Sequence, residues 1–252
     1  MPFEEPISHW TPVRTIGANR PSNWLVICDH ASNHVPEFVA GGDLGIAPED
    51  MSRHIAFDPG SAGVTMALAE RLNAPAILSD FSRLVIDPNR GEDDPTLLMK
   101  LYDGTIIPAN RYADEAEVKR RMDLCYRPYH AAVENAVGRQ SDTAIVSVHS
   151  FTPQLRGRPP RPWEVGILHA GDVRLSQPLI QLLAKEGLNV GENVPYGGSL
   201  KGDTIDRHAI QQGRQNTLIE IRNDLIQTPE QQQSWADRFA RLLPLALEQA
   251  NA

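Results

Sequence analysis

Positive charge is what this 252-residue chain is short of: 24 lysines and arginines stand against 32 aspartates and glutamates, for a formal net charge of −8. No Lys/Arg-rich run offsets that balance, which excludes a nucleic-acid footprint. Cysteine is scarce as well. Cys28 and Cys125 lie far apart and form no metal-type pair; one disulfide is open to them, but two reduced thiols in a cytosolic protein fit better. Long apolar runs are missing, and none approaches the ~20 residues that cross a bilayer. The N-terminus, MPFEEPISHW, is acidic and broken by prolines, unlike a secretory leader. These deficits lead to the expectation of a soluble, cytoplasmic protein, and a 41% apolar content is enough for a substantial core.

No internal repeat, low-complexity tract or linker divides the chain, so a single domain over residues 1–252 is expected. The apolar run WLVIC (Trp24–Cys28) reads as a buried strand, and PAILSD (residues 75–80), RLVIDPNR (83–90), TAIVSVHSF (143–151), VGILHA (165–170) and TLIEIRNDL (217–225) as further strands. Helical spacing joins Val64, Leu68 and Leu72, with Asn73 as a stop. Residues 114–137 form a long helix that Pro128 kinks or divides. RLSQPLIQLLAKEG ends on Gly187 as a cap, and an amphipathic helix runs from Pro229, disturbed at Pro244. Strands alternating with helices predict an α/β fold, with a mostly parallel or mixed sheet and helices on both faces.

Ligands of open α/β sheets gather beyond the carboxyl ends of the strands. The predicted strands carry His30, the pair Asn89 and Arg90, His149, and Glu220 with Arg222 toward such ends. Two neutral imidazoles suit Zn²⁺, which in catalytic sites takes a third protein ligand and leaves one position to water. Glu220 is a candidate general base, and arginine forks suit a substrate carboxylate. Each residue also has a plainer reading. The histidines can be hydrogen-bonded structural groups, Glu220 can pair with Arg222 or Arg207, and Asp87 to Arg90 can be a simple turn. His34 reads as solvated, while His54, Asp58 and His208 sit in polar stretches with less claim to a direct role. The basic, proline-rich segment from Arg156 to Arg161 reads as a solvated loop, or as a lid over an acidic substrate.

Four blocks in order, CDHASNHVPE, FSRLVIDPNR, VSVHSFTP and LIEIRNDLI, resemble the N-formylglutamate amidohydrolase family, over about residues 20 to 240. The resemblance implies a zinc-carboxypeptidase-like (phosphorylase/hydrolase-like) fold, and a zinc enzyme that splits N-formylglutamate into glutamate and formate late in histidine breakdown. It matches His30 and His149 to the metal-binding histidines. Zinc carboxypeptidases place a glutamate three residues after the first histidine, whereas this chain has Asn33, a neutral and weaker ligand. The third ligand is therefore open among Asn33, a carboxylate such as Asp29 or Asp58, and a second water. By the same resemblance Asn89 and Arg90 grip an α-carboxylate, Arg83 polarises the scissile carbonyl, and Glu220 is the base. Arg222, on the same face as Glu220 by strand period, is expected at the substrate side chain. The partner is thus a small N-acyl amino acid, with neither nucleic acid nor membrane, and the oligomeric state is left open. Two alternatives are carried: another N-acyl amino acid or peptide as substrate, and an inactive ligand-binding relative, which the Asn33 departure motivates.

Overall fold

The run WLVIC serves two cores at once: Leu25 and Ile27 pack into one buried cluster, and Trp24, Val26 and Cys28 into another. That division is the period of two in a strand covered on both faces, which is why the run is apolar throughout instead of alternating. The computed structural model describes residues 10–198 and 200–251, so the reading of the N-terminal stretch falls, except for Trp10, outside the described residues.

The elements in chain order are β1 (Val13–Ile16), β2 (Trp24–Cys28), α1 (Pro48–Met51), α2 (Ser61–Arg71), β3 (Ala76–Ser79), β4 (Leu101–Tyr102), β5 (Thr105–Ile106), α3 (Pro108–Arg111) and α4 (Glu115–Arg121). Then follow α5 (Arg127–Val137), β6 (Ala144–Phe151), β7 (Val165–Leu168), α6 (Ser176–Lys185), β8 (Val190–Glu192), α7 (Thr204–His208), β9 (Asn216–Arg222) and α8 (Pro229–Ala250). Seven strands form one sheet in the order β1-β3-β2-β6-β9-β7-β8. Strands β3, β2, β6 and β9 are parallel, β1 at one edge runs antiparallel to β3, and β7 runs antiparallel to β9 but parallel to β8 at the other edge. One face is covered by α2, α6 and α8 through Leu68, Leu179, Leu183, Phe239 and Leu242; Cys125, Tyr129 and Val133 cover the other. The mixed α/β sheet with helices on both faces is as expected. Cys28 and Cys125 are free and belong to opposite cores. No helix among the described residues is long and apolar enough to cross a membrane.

Two expectations need correction. Residues 83–90 are not a strand but a chain of buried turns, in which the Val85 amide donates to the Ser82 carbonyl and the Asp87 amide to the Leu97 carbonyl, both at 2.9 Å. Leu84, Val85 and Ile86 are all fully buried, and a short run buried on every side looks the same whether it is extended or coiled. The strand expected over 217–225 stops at Arg222, where a tight turn, Asn223–Leu225, takes over. Pro128 divides its helix in a specific way: α4 and α5 are joined by a π-helical turn, Met122–Tyr126. A proline offers no N–H and crowds the carbonyl four residues earlier, and the wider turn absorbs both defects. Pro244 does not break α8. Strands β1, β4, β5 and β8, and the five-residue α7, went unanticipated because two to five residues are too few to display a period.

Candidate active site

Parallel pairing of β2 with β6 sets Ile27 opposite Ser147. His30 lies three residues beyond Ile27, His149 two beyond Ser147, and the imidazole centroids come to 4.9 Å in an edge-on arrangement. The next strand adds a carboxyl group, because the β6–β9 register puts Glu220 directly opposite His149. Asp58 arrives from the loop ahead of α2, its amide anchored on the His30 carbonyl at 2.9 Å. One carboxylate oxygen of Asp58 then lies 2.8 Å from His149 Nδ1 and 3.4 Å from His30 Nδ1. The other ring nitrogens donate outward, His30 Nε2 to Asp87 at 2.7 Å and His149 Nε2 to Asp29 at 2.9 Å. Asp29 is fixed in turn by the hydroxyls of Tyr129, Thr204 and Ser147 at 2.9, 2.6 and 3.1 Å.

All of these groups are buried. Burial pushes each carboxyl toward its neutral form. At Asp29 and Asp58 the two histidines outweigh that effect and hold both well below the usual carboxylate range; at Asp87 the Arg83 guanidinium does the same, with His30 assisting. Burial also opposes charge on His149, but hydrogen bonds to Asp29 and Asp58 hold it well above its ordinary value. At Glu220 the charges of His149, Arg83 and Arg161 compensate only in part. The Glu220 Oε2 is buried without a hydrogen-bond partner among the described residues, and burial, with Asp58 adding to it, pushes the carboxyl up to about 8. Gly166 stands opposite Glu220 on β7, and a Cβ there would meet the Val194 carbonyl oxygen at 2.3 Å, so only glycine lets the backbone close over this side.

These side chains open onto a cavity of about 310 Å³, whose lining includes Arg83, Asn89, Arg90 and Glu220 besides the His30–Asp58–His149 cluster. Arg83 donates to Asp87 at 2.7 Å and lies 3.6 Å from Asp58. Asn89 is held by its amide on Asp87 (2.9 Å) and by the Thr204 amide on its side-chain oxygen (3.3 Å). Arg90 is braced by Thr96 and its neighbour's carbonyl through Nε and Nη1, at 3.1 and 2.7 Å.

The donor set fits a divalent metal. One ligand atom from each of His30, Asp58 and His149 lies within 4.8 Å of the others. Two imidazoles and a carboxylate are a catalytic zinc set, and a carboxylate behind each imidazole fixes which nitrogen faces the ion. The carboxylates of Asp29, Asp58 and Asp87, all buried and held well below the usual range, gather around these two imidazoles, a setting that favours a bound cation.

Two sequence assignments fail. Asn33 is exposed and spends its amide on the Met51 carbonyl at 2.9 Å. Residues 31–36 are irregular, and only a helix would return the third residue after His30 to the same side. It is Asp58 that stands beside both imidazoles. Arg222 shares Glu220's side of β9 but lies about 7 Å further along, where Asp224 captures it at 2.8 Å. Sequence reasoning gives Asp58 a lesser claim, weighs Asp29 as a third ligand, and reads Asp87 as part of a turn; the structure puts Asp29 and Asp87 behind the two imidazoles. His208 points elsewhere, stacked on His130 with ring centroids at 5.2 Å, whereas His54 does line the cavity.

The family model for N-formylglutamate amidohydrolase matches residues 22–227. The chain belongs to the N-formylglutamate amidohydrolase family. Membership supports an amidohydrolase, and the match spans every residue of the cluster. Among solved structures, a gene product of Agrobacterium tumefaciens is 34% identical with a TM-score of 0.91, over 96% of this chain and 97% of that one. An N-formylglutamate amidohydrolase from Ralstonia eutropha shares the fold at 24% identity and a TM-score of 0.71, covering 96% and 98% of the two chains. A bacteriophage poly-gamma-glutamate hydrolase extends the likeness in fold to 9% identity, with a TM-score of 0.50 over 97% and 92%. No curated protein sequence matches significantly.

Proposed function

We propose that this family member is a zinc-dependent amidohydrolase that releases formate and glutamate from N-formylglutamate, a cytoplasmic step of histidine breakdown. The observation that carries this reading is the unpartnered Glu220 oxygen, in the same cavity as the His30–Asp58–His149 cluster. His30, His149 and Asp58 are the residues that would hold the ion. When bound, zinc supplies Lewis acidity and makes a water acidic enough to lose a proton near neutral pH.

Glu220 takes the proton of the attacking water and returns it to the departing amine nitrogen. A carboxyl that burial pushes up to about 8 is matched to both halves of that transfer near neutral pH. Arg83, immobilised by Asp87, presents a fixed cation to the oxygen that gains charge as the amide carbon turns tetrahedral. Asn89 and Arg90 grip the α-carboxylate, with the Arg90 plane already set by Thr96. The alternative of a binding protein without chemistry draws its motive from Asn33, and the Asp58 carboxylate beside both imidazoles weighs against it.

The test is formate release from N-formylglutamate by zinc-loaded protein. No turnover, together with unchanged zinc binding in a His30→Ala/His149→Ala double variant, overturns the proposal. Replacing formyl by acetyl or longer acyl groups separates the formyl-specific reading from hydrolysis of other N-acyl amino acids.

A further inference from the structure

The guanidinium groups around the cavity differ in what already holds them. Arg83 is bound to Asp87 and Asp58, and Arg222 to Asp224. Among the described residues Arg90 hydrogen-bonds only neutral groups, Thr96 and a carbonyl. Arg161, from the basic, proline-rich loop after β6, is in the same condition. Its Nη1 donates to the Thr152 carbonyl at 3.1 Å and to the Tyr196 hydroxyl at 3.3 Å, and among the described residues it bonds no carboxylate. Two rings hold its plane, Tyr196 at 5.1 Å and Phe151 at 5.6 Å from the guanidinium carbon. Tyr196 lines the cavity, and the charge of Arg161 is felt at Glu220, where it counters the effect of burial. The loop is pinned besides, with the Arg161 amide on the Pro153 carbonyl at 2.8 Å. A flat cation stacked between rings and lacking an anion is prepared for a carboxylate.

We propose that Arg161 binds the side-chain carboxylate of the substrate, opposite the α-carboxylate held by Arg90, so that the cavity selects a dicarboxylic N-acyl amino acid. This deepens the reading of the site as an N-acyl amino acid hydrolase and rests on it. It gives Arg161 the role that the strand period assigned to Arg222. Two cations without anionic partners match two carboxylates, while Arg83, neutralised by its own acids, is left for the reacting carbonyl.

The test compares N-formylglutamate with N-formylglutamine, which keeps the shape and loses the charge. In zinc-loaded Arg161→Gln, kcat/KM for N-formylglutamate should fall about 100-fold. The value for N-formylglutamine should change by less than about threefold, because a neutral amide never drew on the charge. Arg161→Lys should recover part of the loss on the acidic substrate. Equal losses on both substrates, or no loss on either, overturn the proposal, since a structural role or a role through Glu220 would strike both alike. A second readout needs no turnover: glutarate should raise the melting temperature of the wild-type protein more than butyrate does, and Arg161→Gln should abolish the difference. If wild type cleaves neither formyl substrate yet shows this difference, the reaction assignment fails and the dicarboxylate site stands. If glutarate and butyrate act alike on wild type, the site itself is refuted.

Discussion

His30 and His149 turn the same ring nitrogen, Nδ1, toward a single oxygen of Asp58, and each rests its Nε2 on a carboxylate of its own. The two supporting acids, Asp87 and Asp29, would therefore act on a bound metal without touching it. Asp29→Asn and Asp87→Asn should each weaken zinc affinity about 10–100-fold, measured by competition with a chromogenic chelator. Affinity unchanged in both variants would show that the rings need no such support.

Asp58 and Asn33 are rivals for the third ligand position, and they keep different company: Asn33 is tied to Met51 at the surface, Asp58 to both imidazoles. Asp58→Ala should abolish stoichiometric metal binding, while Asn33→Ala leaves it within about twofold of wild type. Metal content after gel filtration decides the matter, and a metal-free Asn33→Ala protein would reverse the assignment.

Metal uptake should be strongly pH-dependent. Asp29 and Asp58 hold His149 well above its ordinary value, so in protein stripped by a chelator Nδ1 carries a proton that must leave before it can ligate. Below the folded-state value of His149, affinity should rise about tenfold per pH unit, and above that value it should level off. Calorimetry at pH 7 in two buffers of different ionisation enthalpy should find about one proton released per ion. Equal heats in the two buffers would contradict this.

Glu220→Gln should lower kcat for formate release by about 10²–10⁴ while metal content stays the same. The same variant should melt at a higher temperature than wild type once both are stripped of metal. The folded-state value of Glu220 is raised, so its contribution to stability is fully present below pH 4.5 and is lost as pH climbs toward about 8. The advantage of glutamine should accordingly be larger at pH 8 than at pH 5. A constant difference across that range would mean that Glu220 is solvated after all.

Legibility in the sequence followed burial and length. Strands β2, β6 and β9 announce themselves because each is a run of mostly apolar or β-branched residues buried on both faces, and each points to a residue of the site: His30, His149 and Glu220. The acids that reach His30 from elsewhere in the chain left no such trace. Asp58 and Asp87 meet His30 from 28 and 57 positions away, out of turns whose own sequences say only that the chain bends. Arg222 misled because strand period reports a side and not a distance, and because Asp224, two residues later, was not weighed as its partner. Arg161 lies in a segment that reads as a solvated loop or as a lid over an acidic substrate, and composition cannot single it out because it does not show that Phe151 and Tyr196 pack against that one arginine.

The pairing of β6 with β9 runs unbroken from Ile145 opposite Asn216 to Phe151 opposite Arg222, with His149 opposite Glu220 inside it. A slip of one residue would turn either the imidazole or the carboxyl to the far side of the sheet. His149 and Glu220 are thus set side by side by the same backbone ladder that builds the core, and no loop has to close to bring them together. A newly made chain that has zipped these two strands in register has already placed both groups of the proposed reaction, whether or not metal or substrate has arrived.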